Sequence, residues 1–173
     1  MIQLTEQELK QRARAIRLVL SDNDGVMTDT GVYYSDAGEV MKRFSIRDGM
    51  GVERLRNIGI ETAIITGETS GSVKARAQKL KMKFLYLGVK DKATLLDSIL
   101  TETGCRIHEI AYIGDDVNDI DIINRISPVG ITACPADAMP VIKPLVHFHT
   151  TAPAGNGAFR DFAEWLIGLR QEI

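Results

Sequence analysis

Short apolar runs alternate with helix-like segments along most of this chain, and acidic residues directly follow two of the runs. Leu18-Val19-Leu20-Ser21 precedes Asp22, and Ile110-Ala111-Tyr112-Ile113 precedes Gly114-Asp115. Strands that are apolar throughout are typical of a parallel sheet that helices cover on both faces. Alternating strands and helices require right-handed crossovers between parallel strands. The sequence therefore predicts an α/β fold with a doubly wound parallel sheet.

A capping box opens the first predicted helix, over residues 6–15, because Thr5 is followed three residues later by Glu8. A β-hairpin is predicted next, with strands at 31–34 and 39–44 around a polar turn, and we expect it to project from the sheet. The other predicted helices span residues 49–58, 70–80, 91–103, 117–124, 137–143 and 158–170. The strands of the predicted sheet span residues 18–21, 62–65, 84–87, 110–113, 128–131 and 145–148.

Composition narrows the class of protein and the kind of partner. With 173 residues, 45% of them hydrophobic and 25% charged, we expect one globular domain over residues 1–173. The net charge of -2 provides no basic surface for nucleic acid or a membrane, which favours a small-molecule partner. Cys105 and Cys134 lack the spacing of a zinc site or a disulfide framework. The N-terminus has no long apolar stretch, so we expect a cytoplasmic protein.

Five acids, from two distant segments, follow the two apolar runs: Asp22, Asp24, Asp115, Asp116 and Asp119. Ligands of an open α/β sheet bind beyond the carboxyl ends of its strands, so these acids are expected to meet there. Clustered carboxylates repel one another without a cation, and Mg²⁺ takes oxygen ligands from carboxylates and substrate phosphate. We predict a Mg²⁺ site formed by Asp22, Asp24, Asp115 and Asp116, in which Asp24 turns its backbone carbonyl to the ion and Asp115 binds it directly. Asp116 and Asp119 are expected to bind through water or to orient other groups.

The first two acids have the types and spacing needed for phosphoryl transfer. Asp22 is the predicted nucleophile, because a carboxylate that attacks phosphorus forms an aspartyl-phosphate and divides hydrolysis into two steps. Asp24 is the predicted acid and base, which protonates the leaving alcohol and then activates water. The alternative is that Asp22-Asn23-Asp24-Gly25 is only a turn, because Asp and Gly are common in turns.

Two further segments supply groups suited to a phosphate. Thr66 and Gly67 follow a predicted strand and offer a hydroxyl and an amide to phosphoryl oxygens, although Thr66 could instead be a plain helix N-cap. Lys92 is predicted to neutralise the transferring phosphoryl group and hold Asp22 in place. The alternatives for Lys92 are a solvated surface position, or replacement in this role by Lys90.

The order Asp-x-Asp-Gly, Thr-Gly, Lys and Gly-Asp-Asp-x-x-Asp resembles the haloacid dehalogenase superfamily of phosphohydrolases over most of residues 18–131. The resemblance implies the same catalytic roles for Asp22, Asp24, Thr66, Lys92 and Asp115. Many members carry a cap domain, but the segments between these motifs leave no room for one here. An open site loses the exclusion of water, so we expect a neighbouring subunit to cover it.

The capless branch of that superfamily is similar at residues 24–29, 44–49, 114–119 and 155–160. It contains phosphatases of 3-deoxy-D-manno-octulosonate 8-phosphate and of related nine-carbon sugar acid 9-phosphates. The resemblance implies a homotetramer whose hairpins form a central barrel, with the tail around 155–160 reaching a neighbouring site. By similarity, substrate contacts fall on Asp24, Ser45, Ile46, Arg47, Asp48, Gly49, Arg76 and Lys92. Arg47 and Arg76 suit a sugar-acid carboxylate, or else lie on the surface.

Some positions depart from the pattern of octulosonate phosphatases. Glu68 follows Thr66-Gly67 where those enzymes commonly have arginine, and we predict that it contacts substrate together with Gly67. Glu53 and Asn156 also stand where basic residues are frequent. A carboxylate accepts hydrogen bonds from sugar hydroxyls but repels a substrate carboxylate, so a nine-carbon 9-phosphate is the second candidate after octulosonate 8-phosphate.

Two functions of another class remain open from the sequence. Receiver domains of signalling systems also combine clustered acids, a phosphorylated Asp, Thr and Lys, but Asp24 and the late Gly-Asp-Asp motif disfavour that interpretation. A non-catalytic assembly domain is disfavoured because Asp22, Asp24, Lys92 and Asp115 are all present. The leading prediction is a Mg²⁺-dependent phosphatase of a 2-keto-3-deoxy sugar acid phosphate.

Overall fold

A parallel sheet of six strands forms the centre of the molecule, in a computed structural model that describes residues 2–171. The strands of the sheet are β1 (Leu18–Ser21), β4 (Glu61–Ile65), β5 (Phe84–Tyr86), β6 (Ile110–Ile113), β7 (Ile131–Cys134) and β8 (Phe148–His149). Their spatial order is β5-β4-β1-β6-β7-β8, which places β1 between β4 and β6. The predicted α/β fold with a parallel sheet is therefore confirmed.

Helices cover both faces of this sheet. They are α1 (Glu6–Ala15), α2 (Ile46–Asn57), α3 (Gly71–Lys79), α4 (Lys92–Thr103), α5 (Ile120–Ile126) and α6 (Ala158–Arg170). Short 3₁₀ turns occur at Ile107–Glu109, Val117–Asp119 and Lys143–Leu145. Within residues 2–171, none of these helices combines the length and the apolar character needed to cross a membrane.

Alternate residues of each strand face opposite layers of the core, as the period of a strand requires. Val19 packs in the layer formed by α1, α2 and α6, whereas Leu18 and Leu20 pack in the layer that contains α4 and α5. All four residues of β1 are buried, and so are all four of β6. This burial on both faces explains why the strands that hold the acids are apolar throughout.

Local capping fixes several helix boundaries. The predicted capping box of α1 is present: the Thr5 hydroxyl accepts from the Glu8 amide at 3.2 Å, and the Glu8 carboxylate accepts from the Thr5 amide at 2.7 Å. Helix α2 begins at Ile46, earlier than predicted, because the Ser45 hydroxyl accepts from the Arg47 amide at 3.1 Å.

The prediction for residues 128–148 is wrong in detail. Strand β7 begins at Ile131 rather than at 128, because α5 extends to Ile126 and closes with a bond from the Gly130 amide to the Ile126 carbonyl at 2.7 Å. The helix predicted at 137–143 is absent from the described structure, where only the 3₁₀ turn Lys143–Leu145 forms. Pro140 and Pro144 lack the amide hydrogen that a helix needs at these positions.

The hairpin of β2 (Val32–Ser35) and β3 (Gly38–Lys42) is separate from the main sheet, as predicted. Four large apolar side chains of the hairpin are exposed, and we call them the hairpin patch: Tyr33, Tyr34, Val40 and Met41. The last residue of β3, Lys42, is by contrast buried. One end of the hairpin is thus anchored in the protein while its apolar side chains face outward.

Candidate active site

The carboxyl ends of the three central strands meet at one pocket. Ser21 at the end of β1 is in register with Ile64 of β4 and Ile113 of β6, so the residues after these strands are neighbours. The pocket has a volume of about 260 Å³. Its lining residues are Asp22, Asp24, Thr30, Thr66, Gly67, Glu68, Asp115, Asp116 and Asn118.

Lys92 lies beneath this pocket and pairs with the predicted nucleophile. Its Nζ is 2.9 Å from Asp22 Oδ2 and 2.6 Å from Asp119 Oδ1, and its side chain is buried. Lys90, the alternative from the sequence, is exposed. Lys92 is the first residue of α4, which the Asp91 side chain caps, so the start of the helix fixes where the ammonium group enters the site.

Asp119 joins the lysine to the loop after β6. Its Oδ1 accepts from Lys92 Nζ and from the Tyr112 hydroxyl at 2.5 Å, while its Oδ2 accepts from the amides of Asp115 at 2.8 Å and Asp116 at 3.3 Å. Asp119 is fully buried. Both oxygens are thus held by protein donors, which favours the predicted orienting role of Asp119.

Tyr112 was not among the predicted site residues. It lies inside an apolar strand and is completely buried, so the sequence of this strand is typical of the hydrophobic core. A buried tyrosine hydroxyl usually finds a polar partner, and this tyrosine lies three positions before Asp115 along the chain. The presence of a hydroxyl group in an otherwise apolar strand was the feature that could have identified Tyr112 as a site residue.

The residues of the pocket fit a hard divalent cation. Ligand atoms from Asp22, Asp115 and Asp119 all lie within 4.8 Å of one another. Oδ2 of Asp24 and Oδ1 of Asp115 are buried and have no hydrogen-bond partner in the described part of the chain. Carboxylate oxygens left in this way are the ligands that Mg²⁺ prefers.

The predicted metal ligands are only partly brought together. Asp22 and Asp115 belong to the close group of acids, whereas Asp24 and Asp116 do not. The Asp116 carboxylate accepts from the Val117 amide at 2.6 Å and starts the 3₁₀ turn. The Asp116 side chain thus starts the turn that positions Asp119, which agrees with the orienting role predicted for it, and its binding to the metal ion stays a prediction.

A glycine allows the closest approach between the two acidic loops. Gly25 has φ +90°, a conformation that favours glycine, and a Cβ atom built there would lie 2.0 Å from Asp115 Oδ2. Any side chain at this position would displace the Asp115 carboxylate. The Asp-x-Asp-Gly sequence is therefore required by the site and is more than a turn.

Burial and mutual repulsion change the acidity of two of these acids. Burial, and then the Asp119 charge, raise the pKa of Asp22 to about 7, although Lys92 opposes this shift. Burial, and then the Asp22 charge, raise the pKa of Asp115 to about 8. A bound cation favours the ionised forms of both carboxyls, so the electrostatics of the pocket also fit a metal ion.

The Asp24 carboxylate is held on one side only. Its Oδ1 accepts from Lys42 Nζ at 2.6 Å, from Asn23 Nδ2 at 3.1 Å and from the Thr28 hydroxyl at 3.2 Å. Lys42 was not among the predicted site residues, because a lysine near the end of an exposed hairpin strand is ordinarily solvated.

Thr66 and Gly67 lie in the pocket wall after β4, with Thr66 buried. The alternative that Thr66 caps the next helix is wrong, because Ser70 is the N-cap of α3 and accepts from the Val73 amide at 3.4 Å. Glu68 lines the same pocket and is exposed. The Thr66 hydroxyl accepts from the Glu68 amide at 3.2 Å, which fixes the turn between them.

A second group of predicted substrate residues lies away from this pocket. Ser45, Ile46, Arg47, Asp48, Gly49 and Arg76 are all outside its lining. Arg76 donates to the Ser45 carbonyl at 2.7 Å and lies over the Phe44 ring at 5.6 Å. None of these six residues therefore lies in the wall of the pocket that contains Asp22.

Asp48 requires a correction. Only 1% of it is exposed, and its two oxygens accept from the amides of Gly157 at 3.1 Å and Arg160 at 3.0 Å. The carboxylate therefore holds the first turn of α6, and its burial removes it from the predicted substrate contacts. Burial raises the pKa of Asp48, and the backbone donors of α6 oppose that shift.

The segment before α6 packs on its own chain. The Gly155 amide donates to the Val26 carbonyl at 2.9 Å, and a Cβ atom on Gly155 would lie 2.4 Å from the Asp29 amide nitrogen. Arg43 donates to Asp29 at 2.8 Å and to Asn156 at 3.1 Å. These contacts fix the start of the tail on its own chain, and the expectation that the tail reaches a neighbouring site stays a prediction.

Comparisons with known proteins place these residues in context, although no family model matches the chain. The 3-deoxy-D-manno-octulosonate 8-phosphate phosphatase of Yersinia pestis is 38% identical over 162 residues, which cover 94% of this chain and 84% of that protein. The 3-deoxy-D-manno-octulosonate 8-phosphate phosphatase of Haemophilus influenzae is 31% identical over 159 residues, which cover 92% of this chain and 87% of that protein.

Solved structures agree with this similarity. The crystal structure of the Yersinia pestis phosphatase matches with a TM-score of 0.87 and 35% identity, covering 94% of this chain and 86% of that chain. The phosphatase from Moraxella catarrhalis, solved in complex with magnesium ion, phosphate ion and a KDO molecule, matches with a TM-score of 0.87 and 32% identity. This second match covers 95% of this chain and 92% of that chain.

Proposed function

We propose that this chain hydrolyses 3-deoxy-D-manno-octulosonate 8-phosphate. The premise is that the chain belongs to the family of phosphatases named for that sugar acid phosphate, within the haloacid dehalogenase superfamily. The observation on which the proposal depends is the single pocket in which Asp22, Asp24 and Asp115 meet above Lys92. The enzyme is a phosphatase, and Mg²⁺ is its cofactor. Asp22 and Asp115 would hold the ion.

The first chemical step transfers the phosphoryl group to the protein. An Asp22 oxygen attacks phosphorus, the bond to the sugar oxygen breaks, and the leaving alkoxide takes a proton from Asp24. Lys92, at 2.9 Å from Asp22, orients the nucleophile and offsets negative charge on the phosphoryl oxygens. Thr66 and Gly67 donate hydrogen bonds to the same oxygens. When bound, Mg²⁺ offsets the repulsion between the phosphate and the carboxylates.

The second step releases inorganic phosphate. Asp24, now ionised, takes a proton from water, the water oxygen forms a bond to phosphorus, and the bond to Asp22 breaks. The products are phosphate and a restored Asp22 carboxylate, with the proton on Asp24 for the next turnover. This sequence of steps distinguishes the enzyme from a signalling module, in which the aspartyl-phosphate would persist.

A second candidate substrate is a nine-carbon sugar acid 9-phosphate. Glu68 supports it, because this exposed carboxylate lines the pocket directly behind Thr66 and Gly67. There it accepts hydrogen bonds from substrate hydroxyls, while it repels a carboxylate placed close to it. The octulosonate remains the first candidate because the relatives named for it match most of this chain.

We also propose that the protein works as a homotetramer assembled through its hairpins. The hairpin patch exposes Tyr34 and Met41, and Ile46 at the start of α2 is 85% exposed. The substrate residues that lie away from the pocket, such as Arg47 and Arg76, support a site completed by a neighbouring copy. The single domain over residues 1–173 and the cytoplasmic location stay predictions from the sequence.

The experiment that tests this function is a comparison of specificity constants on eight-carbon and nine-carbon keto-acid phosphates, with Mg²⁺ present. We expect phosphate release from octulosonate 8-phosphate to exceed release from simple hexose phosphates by at least about tenfold in kcat/KM, or about 1.4 kcal/mol. A preference for the 9-phosphates would move the assignment to the second candidate. Equal activity on all the esters would contradict a sugar acid substrate.

A further inference from the structure

Lys42 is buried at the end of the hairpin, next to the acid and base of the proposed reaction. Its side chain is 1% exposed, and its Nζ lies 2.6 Å from Asp24 Oδ1, whose side chain is 25% exposed. Lysine is rarely buried unless its charge is paired, because removing an ammonium group from water is costly. The pairing with Asp24 therefore accounts for the position of Lys42.

The two oxygens of Asp24 have different surroundings. Oδ1 accepts from Lys42, from Asn23 and from the Thr28 hydroxyl, and these donors occupy its lone pairs. Oδ2 is buried and has no hydrogen-bond partner within residues 2–171. Only Oδ2 is therefore free to exchange a proton with a substrate in the pocket.

The hairpin strand that carries Lys42 also contacts the segment after the phosphate-binding turn. Lys42 Nζ is 3.8 Å from Glu39 Oε2, and the other oxygen of Glu39 accepts from the Ser70 hydroxyl. Ser70 is the N-cap of α3, four residues after Thr66. Strand β3 thus connects the loop that bears Asp24 with the helix that follows Thr66 and Gly67.

We infer that Lys42 is a positioning residue for Asp24. It holds Oδ1 against the protein so that Oδ2 faces the leaving-group oxygen in the first step and the attacking water in the second. The inference rests on the proposed function for the proton-transfer role of Asp24. It also gives the hairpin a part in the chemistry of its own chain, apart from any part in assembly.

The test compares esters whose leaving groups differ in their need for a proton. Lys42→Met keeps the length of the side chain but removes the charge and the donor. In kcat/KM, which reports the steps up to departure of the leaving group, we expect a loss of about 10²-fold for the sugar acid phosphate. Nitrophenyl phosphate, whose leaving group needs little protonation, should lose less than about threefold. Lys83→Met, which removes an exposed lysine paired with Glu61, is the matched control and should change neither value.

Equal losses on both esters would indicate a structural role and overturn the inference, and so would a loss of less than about threefold on the sugar acid phosphate. A crystal structure of Lys42→Met provides a second measurement that needs no activity. Rotation of the Asp24 carboxylate away from Asn23 and Thr28 supports the inference, and an unchanged carboxylate contradicts it. Wild-type enzyme that cleaves nitrophenyl phosphate but no sugar acid phosphate would instead refute the proposed function, and the crystal structure then decides the role of Lys42.

Discussion

Asp22 is buried and Asp115 is half-buried, and the ionisation of both carboxyl groups opposes folding when no metal ion is bound. Their pKa values rise to about 7 and about 8, well above the ordinary range of an aspartic acid. The folded protein therefore binds more protons than the unfolded chain up to about pH 8. Stability falls with rising pH wherever the folded state holds more protons.

The first prediction is that metal-free protein loses stability as the pH rises from about 6.5 to about 8. Burial lowers the pKa of His147 to about 4, so this residue makes stability rise with pH below the window. Within the window, the change of stability with pH therefore reports on the two carboxyl groups. Saturating Mg²⁺ should remove the slope and raise the melting temperature, because the cation stabilises both ionised groups. Thermal melts across this range provide the measurement. The same slope with and without Mg²⁺ would contradict the metal site.

Glu68 is the residue for which the two candidate substrates differ most. Because Ser70 is the cap of α3, Glu68 is not needed to start that helix. We predict that Glu68→Arg changes the ratio of specificity constants for eight-carbon and nine-carbon substrates by about 1 to 3 kcal/mol. Glu6→Arg reverses an exposed charge on α1 and is the control. An unchanged ratio in the Glu68 variant would mean that this side chain does not contact the substrate.

At the residue scale, the sequence predicts the side chains that come directly after strands. Asp22, Thr66 and Asp115 meet because the ends of neighbouring parallel strands lie at one edge of the sheet. Lys42 and Tyr112 were missed, because their roles depend on which groups the tertiary structure buries beside them. No local sequence pattern predicts that the end of strand β3 is buried beside the pocket.

At the scale of elements, α6 is part of the core and also depends on a cap from another helix. Phe159 and Phe162 are completely buried, so a deletion from Pro153 onward would remove core packing as well as a loop near the site. Asp48 of α2 accepts from two amides at the start of α6, which has no side-chain cap of its own.

We therefore predict that Asp48→Ala lowers the free energy of unfolding by about 1 to 3 kcal/mol, because it leaves buried amide donors of α6 unpaired. Asp97→Ala, which removes an exposed carboxylate paired with Arg125, should change stability by less than about 1 kcal/mol. Denaturant titration measures both. A raised KM with unchanged stability in the Asp48 variant would instead restore this residue to the substrate site.

Elements with strong end signals were predicted well. Helix α1 has its capping box, and α6 follows a glycine-rich turn, so both were predicted at nearly their observed bounds. The region from 128 to 148 was predicted poorly, because prolines interrupt its apolar pattern and its backbone groups pair with distant segments. His147 shows this, since its amide donates to the Thr132 carbonyl of β7.

At the scale of the whole molecule, the hairpin patch is the surface that most needs a partner. Tyr33 is 59% exposed and Tyr34 is 70% exposed, and both project from a hairpin that is not part of the main sheet. Neighbouring exposed apolar side chains of this size mark interaction surfaces in soluble proteins. The alternation of strands and helices in the sequence predicts the parallel sheet. No comparable sequence pattern predicts which surfaces of two copies contact each other.

We predict that wild-type protein is a tetramer and that Tyr34→Lys combined with Met41→Lys yields smaller species with lower activity. Charges placed in an apolar interface repel across the contact and lose their hydration. Met139→Lys changes an exposed methionine outside the hairpin and should leave the mass unchanged. Light scattering at the assay concentration provides the measurement. A fully active wild-type monomer would refute the shared site.

The central claim is that this chain cleaves a phosphate ester through Asp22. The most direct measurement is to quench wild-type enzyme with acid during turnover, reduce the acyl phosphate with borohydride, and map the modified residue by peptide mass spectrometry. We expect the modification on Asp22 in the wild type and none in Asp22→Asn, which should also be inactive. Modification of another residue, or turnover by Asp22→Asn within about tenfold of wild type, would contradict the claim.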